Sequence, residues 1–237
     1  MTYSKEWETI VGRFGRWIDF KNDYKTMDCK YMESVWWAFK QIYNKGLVYR
    51  GSRIMPFSPA CNTVLSNFEA GSNYKDTTDP AIFVTFPLVE EPDTCLIAWT
   101  TTPWTLPSNC AAAVNPEFEY LKIKDEDTSR VMIVAECRLK DVLKQMKIKK
   151  HTVVSKMKGS ELVGKSYVPL FDCFKHLEAQ KCFTIIGGAF VTKDAGTGIV
   201  HCAPGFGEED YNACIKAQLV QPGGVPMPMD DDGKFTK

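Results

Sequence analysis

Apolar side chains at helical spacing predict three helices in this chain. The first spans residues 28–45, and Gly46 provides its C-terminal stop. The second spans about residues 136–147, and the third starts at Gly207 or Glu208. The apolar stripes consist of Met32, Val35, Trp36, Phe39, Ile42 and Tyr43 in the first helix, of Leu139, Val142, Leu143 and Met146 in the second, and of Tyr211, Cys214, Ile215 and Leu219 in the third.

Short apolar runs predict a series of strands, and most of these runs lie in the middle of the chain. Because strands outnumber the helices between them, we expect a mixed α/β fold around a small β-barrel-like core. The predicted strands are Val48–Arg50, Ile54–Phe57, Ile82–Phe86, Cys95–Trp99, Ala111–Val114, Tyr120–Ile123, Val131–Val134, 151–155, 183–191 and 198–202.

An unusual polar segment follows the strand that ends at Trp99. The segment Trp99–Asn109 reads WTTTPWTLPSN, with two tryptophans, four threonines and two prolines. Each proline removes a backbone donor and favours extended geometry in the residue before it, so we expect a stiff, extended loop. Such a loop would present hydroxyls and backbone groups to a small polar substrate between two indole rings. The alternative is a plain strand exit in which the threonines serve β propensity.

Composition narrows the class of protein. Hydrophobic residues at 44% and aromatic residues at 12% indicate a globular protein, and no apolar run approaches the length of a membrane span. Residues 1–30 lack a signal-peptide pattern. Nine cysteines without a C-x-x-C pair predict reduced thiols in a cytoplasmic protein rather than disulfides or a zinc site. The balance of 29 basic and 29 acidic residues predicts that any contact with nucleic acid is weak and local.

Basic side chains concentrate between residues 138 and 158. The helical part of this segment also carries the second apolar stripe, so its lysines belong to the outer face of a packed helix. A solvated face is therefore favoured over a nucleic-acid contact. The basic residues are Arg138, Lys140, Lys144, Lys147, Lys149, Lys150, Lys156 and Lys158, and only Asp141 opposes them.

A second motif, Gly196–Tyr211, reads GTGIVHCAPGFGEEDY. Together with WTTTPWTLPSN it resembles the editing domain of the isoleucyl-, valyl- and leucyl-tRNA synthetases, which carries a threonine-rich strand end and a GTG-x-V-H-x-A-P segment. The residues of the first motif resemble those of the isoleucyl branch, since the other two branches usually carry arginine and glutamate at this place. Residues 15–20, 32–37 and 46–51 resemble the same family, and its eukaryotic cytoplasmic members match best.

The resemblance covers essentially the whole chain and implies its organisation. Residues 1–75 correspond to the segment that connects to the class I catalytic body, residues 76–229 to the editing core, and residues 230–237 to a return linker. The His-x-Gly-His and Lys-Met-Ser-Lys-Ser signatures of the ligation site are absent from the sequence, and Lys156–Ser160 resembles the second only superficially and predicts a turn. We therefore expect a domain that cannot activate an amino acid, with ATP and magnesium used only by the absent body.

The resemblance also implies roles for polar residues of the second motif. Asp210 corresponds to the aspartate that binds the substrate's ammonium group, although a carboxylate there could simply complement a helix dipole. His201 corresponds to a wall of the side-chain pocket that excludes the longer isoleucine, with general base as its second role. Gly198 and Ala203 complete the substrate-binding residues of this motif.

The first motif contributes the remaining candidates. The resemblance gives Thr100, Thr101 and Thr102 a catalytic role, since their hydroxyls would hold the ester, the terminal adenosine and a water. Asn109 is assigned to the same substrate. Two further candidates, Trp99 and Trp104, would stack on the adenine or bound the pocket, and could equally be core residues.

The implied function is proofreading. A synthetic site shaped for isoleucine excludes valine weakly, since a missing methylene is worth about 1 to 3 kcal/mol, a figure obtained with enzymes of this very kind. A second, smaller pocket would hydrolyse the ester of valyl-tRNA(Ile), and also valyl-adenylate, while isoleucine is excluded by size. No set of metal ligands is visible, so we expect a cofactor-free hydrolysis. The implied partners are the 3′ acceptor end of tRNA(Ile) and the catalytic body, with a monomeric chain and no membrane.

Two alternatives from other classes stay open at this point. The first is a docking module for the tRNA end that is hydrolytically active only within the full-length synthetase. The second is an unrelated hydrolase with Cys202 or a serine as nucleophile. No G-x-S-x-G elbow is present in the sequence, and His201 and Cys202 would point to opposite faces of a strand, which disfavours a dyad.

Overall fold

The computed structural model describes residues 2–236 and separates into two compact units, Met1–Gly51 and Ser52–Lys237. The boundary between the two units lies after residue 51. The organisation implied by the family resemblance, with boundaries after residues 75 and 229, stays a prediction about correspondence with the longer synthetases.

The first unit contains two helices. Helix α2, Cys29–Asn44, confirms the predicted helix over residues 28–45. Gly46 follows the end of this helix and has a φ of 71°. The Gly46 N–H donates to the Tyr43 carbonyl at 2.9 Å, and the Leu47 N–H donates to the Ile42 carbonyl at 3.3 Å. These two bonds form a Schellman motif, which accounts for glycine at this position.

Helix α1, Thr2–Arg13, was not predicted. Its apolar residues Tyr3, Trp7 and Ile10 follow helical spacing, so the pattern could have revealed it. The predicted strand Val48–Arg50 is wrong, because these residues have no regular structure and no neighbouring strand to bond with.

The second unit opens with small elements. Strands β1, Phe57–Ser58, and β2, Thr63–Val64, form an antiparallel pair. Of the predicted strand Ile54–Phe57 only its last residue is part of β1, so that prediction is largely wrong. The one-turn helix α3, Asn67–Ala70, follows and is capped by Ser66.

A five-stranded sheet forms the larger layer of the second unit. Its order is β3, β4, β7, β6, β8, and only the β4–β7 pair is parallel. The pairing of β6 with β8 shifts register between Lys122 and Ile123. The strands are β3 Ile82–Pro87, β4 Thr94–Thr100, β6 Glu119–Asp125, β7 Val131–Ala135 and β8 His151–Lys158.

A three-stranded sheet forms the smaller layer. Its central strand is β5, Ala111–Val114, with β9, Thr184–Gly187, parallel on one side and β10, Ile199–Cys202, antiparallel on the other. All four residues of β5 are buried, which explains their small side chains. The predicted strand 183–191 is shorter than expected, because Gly187 is followed by a second glycine that has little strand propensity.

The helices of the second unit frame these sheets. A 3₁₀ turn, Glu136–Arg138, leads into α4, Leu139–Gln145, close to the predicted span of 136–147. Lys156–Ser160 contains the change from β8 into the one-turn helix α5, Gly159–Leu162. Helix α6, Glu208–Lys216, begins where the sequence predicted.

Two apolar cores hold this unit together. The larger core joins the two sheets through residues such as Phe86, Leu96 and Ile185. The smaller one lies under α4, whose Val142 is 1% exposed while Lys144 faces solvent. The predicted mixed α/β fold is confirmed, and the strands of its core divide between two sheets that meet where β4 lies against β10.

Candidate active site

The segment after β4 is helical rather than extended. Pro103–Ser108 forms a 3₁₀ helix with Pro103 at its first position, so the expectation of an extended loop is wrong. Proline's fixed φ is compatible with the start of a helix, and its missing N–H would have no partner there. The Thr105 N–H and hydroxyl both donate to the Thr102 carbonyl, at 3.0 and 2.9 Å, and close the turn.

The two sequence motifs converge on one cleft of about 330 Å³. The first motif leaves the end of β4 and the second runs along β10 into α6, and β4 lies against β10. Eight of the ten predicted site residues line the cleft, whereas Thr105, Val200 and Phe206 were not predicted. The lining residues are Trp99, Thr100, Thr101, Thr102, Trp104, Thr105, Val200, His201, Ala203, Phe206 and Asp210.

His201 forms a buried part of the cleft wall, with 7% of its surface exposed. Its Nε2 lies 2.9 Å from Oγ1 of Thr105, and its Nδ1 lies 2.8 Å from Nδ2 of Asn109. Burial lowers the pKa of His201 to about 4. The imidazole is therefore neutral at pH 7 with both nitrogens engaged, which favours its role as a wall over that of a general base.

Asn109 lies behind His201 and does not line the cleft. It is 4% exposed, and its Nδ2 also donates to the Ala111 carbonyl at 3.0 Å. Its Oδ1 accepts a hydrogen bond of 2.6 Å from the Tyr167 hydroxyl. All these partners belong to the protein, so direct contact between Asn109 and a substrate stays a prediction that this geometry does not favour.

Asp210 supplies the negative charge of the cleft from the first turn of α6. Its Oδ2 accepts a 2.9 Å hydrogen bond from the Ala203 N–H, which ties the helix to the loop after β10. Burial raises the pKa of Asp210 to about 6, and the charge of Glu209 adds to this increase. A carboxylate placed at a desolvation cost is suited to binding a cation.

Threonine side chains also line the cleft. Oγ1 of Thr100 accepts a hydrogen bond from the Thr102 N–H at 3.0 Å and lies 3.3 Å from Oγ1 of Thr102. Thr101 is exposed beside them. Since a hydroxyl can both donate and accept, these threonines offer groups that could hold an ester oxygen or a water.

Gly198 is the second predicted residue that does not line the cleft. Its φ is 78°, and a Cβ built there would lie 2.3 Å from Cβ of Ala135. The Ala135 N–H donates to the Thr197 carbonyl at 3.0 Å, and Nε of Arg138 donates to the Gly196 carbonyl at 3.1 Å. The GTG segment is thus a tight turn packed on the end of β7, and Arg138 anchors it instead of belonging to a solvated face.

Cys202 is unsuited to be a nucleophile. The residue is fully buried, and burial raises its pKa well above the ordinary value for a thiol. A thiolate is the reactive form, so this environment disfavours the alternative of a cysteine hydrolase.

Residues 2–236 contain no group of three or more histidine, cysteine, aspartate or glutamate side chains placed to hold a metal ion. Across the same part of the chain, no helix has the length and apolar character that crossing a membrane requires.

The cleft, with its acidic and hydroxyl walls, belongs to a chain whose sequence matches a known family over most of its length. The family model described as tRNA synthetases class I (I, L, M and V) matches residues 1–213. The chain therefore belongs to the class I tRNA synthetases of this group.

Isoleucine–tRNA ligases resemble the chain along its entire length. It is 54% identical to that of Tetrahymena thermophila, with 100% of this chain and 22% of the relative aligned. It is 51% identical to the cytoplasmic enzyme of Mus musculus and 52% to that of Saccharomyces cerevisiae, aligning all of this chain with 19% and 22% of them. The chain spans about a fifth of the length of these relatives.

Solved structures also align with part of this chain. The crystal structure of the P. knowlesi cytosolic leucyl-tRNA synthetase editing domain aligns with a TM-score of 0.47 and 18% identity, over 58% of this chain and 60% of that one. A structure named GlLeuRS-CP1 aligns with the same TM-score and 21% identity, over 58% and 59% of the two chains.

Proposed function

We propose that this chain is the editing domain of an isoleucine–tRNA ligase and hydrolyses the ester of valyl-tRNA(Ile). The observation that carries the proposal is the convergence of two distant motifs on one cleft, which both Asp210 and threonine hydroxyls line. Similarity to isoleucine–tRNA ligases over the whole of this chain supports the isoleucine branch. Valyl-adenylate, which has the same aminoacyl group, is a second substrate of this proposal.

The mechanism assigns binding and positioning to the protein. Asp210 would bind the α-ammonium group of the aminoacyl ester, because the two charges attract strongly in a partly desolvated cleft. The hydroxyls of Thr100, Thr101 and Thr102 would hold the ester and the attacking water in reacting geometry. The ester is already activated, so the proposal needs no covalent enzyme intermediate, metal or cofactor.

Discrimination against isoleucine is assigned to the His201 wall. A rigid, buried side chain limits pocket size more sharply than a mobile one, and His201 is held through both ring nitrogens. Valine would fit beside it, whereas the additional methylene of isoleucine would collide with it.

The exposed aromatic residues of the first unit support the catalytic body as a partner. Trp36 and Trp37 are 77% and 65% exposed on α2, which is unusual for side chains of this size.

The tRNA acceptor end is the second partner, and we propose a monomeric chain. The mouse and yeast relatives are named cytoplasmic, which supports a cytoplasmic location.

The direct test is the release of amino acid from valyl-tRNA(Ile) and isoleucyl-tRNA(Ile) by the 237-residue chain. We expect rapid release of valine and slow release of isoleucine. Binding of tRNA without release above buffer would replace the proposal with a docking module that is active only within the full-length synthetase. Equal release of both amino acids would contradict editing by size.

Removal of the His201 wall should weaken discrimination. In His201→Ala we expect isoleucyl-tRNA(Ile) to be hydrolysed about tenfold faster relative to valyl-tRNA(Ile), consistent with the 1 to 3 kcal/mol that one methylene is worth. The measurement is the ratio of kcat/KM for the two substrates. His176→Ala, at an exposed position, is the control. A wild-type ratio in His201→Ala would remove this residue from the specificity pocket.

The pH dependence should report the ionisation of Asp210. Its raised pKa predicts that the carboxylate is protonated below about pH 6 and charged above it. We therefore expect kcat/KM for valyl-tRNA(Ile) to rise with pH through about 6 and then level off. His201 stays neutral throughout this range and adds no second limb. An activity that is flat between pH 5 and 7 would show that Asp210 does not bind the substrate as a carboxylate.

A further inference from the structure

The contacts behind the cleft define a chain of hydrogen bonds with one direction. At one end, Nδ2 of Asn109 donates to the Ala111 carbonyl at 3.0 Å, and a carbonyl can only accept. This bond fixes which end of the Asn109 amide is the nitrogen. The same nitrogen lies 2.8 Å from Nδ1 of His201, so it donates its second hydrogen there. Nδ1 of His201 must therefore be unprotonated.

The other end of this hydrogen-bonded series is compatible with that assignment. Oγ1 of Thr105 can donate its single hydrogen to the Thr102 carbonyl at 2.9 Å and then accept from Nε2 of His201, which lies 2.9 Å away. The same hydroxyl could instead donate to an unprotonated Nε2, so Thr105 follows the tautomer and does not set it. The Asn109 end alone places the imidazole proton on Nε2.

Tyr167 holds the Asn109 amide from behind. Its hydroxyl donates to Oδ1 of Asn109 at 2.6 Å, and the tyrosine is 1% exposed. Its ring packs edge-on against Phe86 and Phe183, with centroid distances of 4.9 and 6.3 Å. The asparagine therefore has all its groups engaged within the protein.

We propose that Asn109 is a positioning residue, which fixes His201 as the neutral tautomer with its proton on Nε2 and so holds the imidazole as a rigid wall of the cleft. This assignment replaces direct contact between Asn109 and the substrate. Its consequence for amino-acid selection rests on the proposed editing function, whereas the tautomer itself does not.

Nitrogen NMR of the ¹⁵N-histidine-labelled chain at pH 7 tests the tautomer. The sequence contains only three histidines, and the spectrum of His201→Ala identifies the signals of His201. We expect Nε2 protonated and Nδ1 unprotonated in the wild type. In Asn109→Asp the carboxylate can only accept, so we expect Nδ1 to become protonated. Thr105→Val leaves the Asn109 amide in place and should retain the wild-type tautomer.

Several results would overturn the proposal. A proton on Nδ1 in the wild type would do so, as would an unchanged tautomer in Asn109→Asp. If Asn109→Asp fails to fold, Asn109→Ala replaces it, and we expect both tautomers because nothing then donates to Nδ1. A single Nε2–H tautomer in Asn109→Ala would show that Asn109 does not set it.

The kinetic test concerns selection. In Asn109→Asp we expect the preference for valyl-tRNA(Ile) over isoleucyl-tRNA(Ile) to fall about tenfold, as for loss of the His201 wall itself. A direct substrate contact would instead raise KM for both substrates equally, and that result would contradict the positioning role. Absence of hydrolysis by the wild type would defeat the proposed function and leave the tautomer result standing.

Discussion

Replacement of Asp210 by asparagine is expected to lower kcat/KM for valyl-tRNA(Ile) by about 100- to 1000-fold, the effect of removing one preorganised charge-stabilising group. Asparagine keeps the size of the side chain, and its Oδ1 can still accept from the Ala203 N–H. The loss therefore isolates the negative charge. The measurement is the rate of valine release at pH 7.

The same substitution should stabilise the fold. Burial raises the pKa of Asp210 from an ordinary 3.8 to about 6, so ionisation costs the folded state about 3 kcal/mol at most. Because the folded-state pKa is the higher one, this cost is absent at pH 3 and grows as the pH rises from about 4 to 6. We expect Asp210→Asn to raise the free energy of unfolding at pH 7 by about 1 to 3 kcal/mol.

Glu209→Gln is the matched control for both measurements. It removes the same charge from the neighbouring, exposed position of α6, so we expect nearly wild-type activity and stability. Equal losses of activity in the two variants would indicate a general effect of charge near the helix start. A less stable Asp210→Asn would indicate that Asp210 is structural.

Gly198→Ala is expected to lower the free energy of unfolding by about 2 to 5 kcal/mol, since strain at positive φ and overpacking add together. The φ of Gly198 is 78°, and the new Cβ would lie 2.3 Å from Cβ of Ala135, which is held in β7. Denaturant unfolding measures the change. Resemblance to the family assigned this glycine to substrate binding, and the structure offers a packing explanation for it.

Gly196→Ala separates strain from packing. Gly196 has a similar φ of 70°, but the nearest atom to its new Cβ would be Cε3 of Trp99 at 3.8 Å. We expect it to cost about 1 to 2 kcal/mol, from backbone strain alone. Equal costs in the two variants would exclude the clash with Ala135. A Gly198→Ala variant with wild-type stability and no hydrolysis would restore the direct substrate role.

Sequence reasoning predicted most local elements of the second unit. The strand Ala111–Val114 agrees with the structure residue for residue, and α6 starts at Glu208, one of the two residues predicted. Both features depend on neighbours in the chain. The segment after β4 was wrong for a local reason as well. Proline excludes only part of backbone space, and Pro103 begins a 3₁₀ helix as readily as an extended loop.

The sequence predicted most residues of the candidate site but not the hydrogen bonds between them. The two sequence motifs predicted eight of the lining residues, among them Asp210 and His201. No local pattern connects Asn109 with Tyr167, 58 positions away, or with His201, 92 positions away. Those contacts exist because β5, β10 and the bridge near Tyr167 meet in the folded chain.

The amino-acid sequence by itself determined the class of fold, the family and the residues of two motifs, since each depends on composition, spacing and local propensity. Only the tertiary structure decided the roles of particular side chains. Asn109 faces His201 instead of the cleft, and Gly198 packs against Ala135. The physical reason is that hydrogen-bond direction, burial and steric contact depend on distances between strands that are remote in the chain.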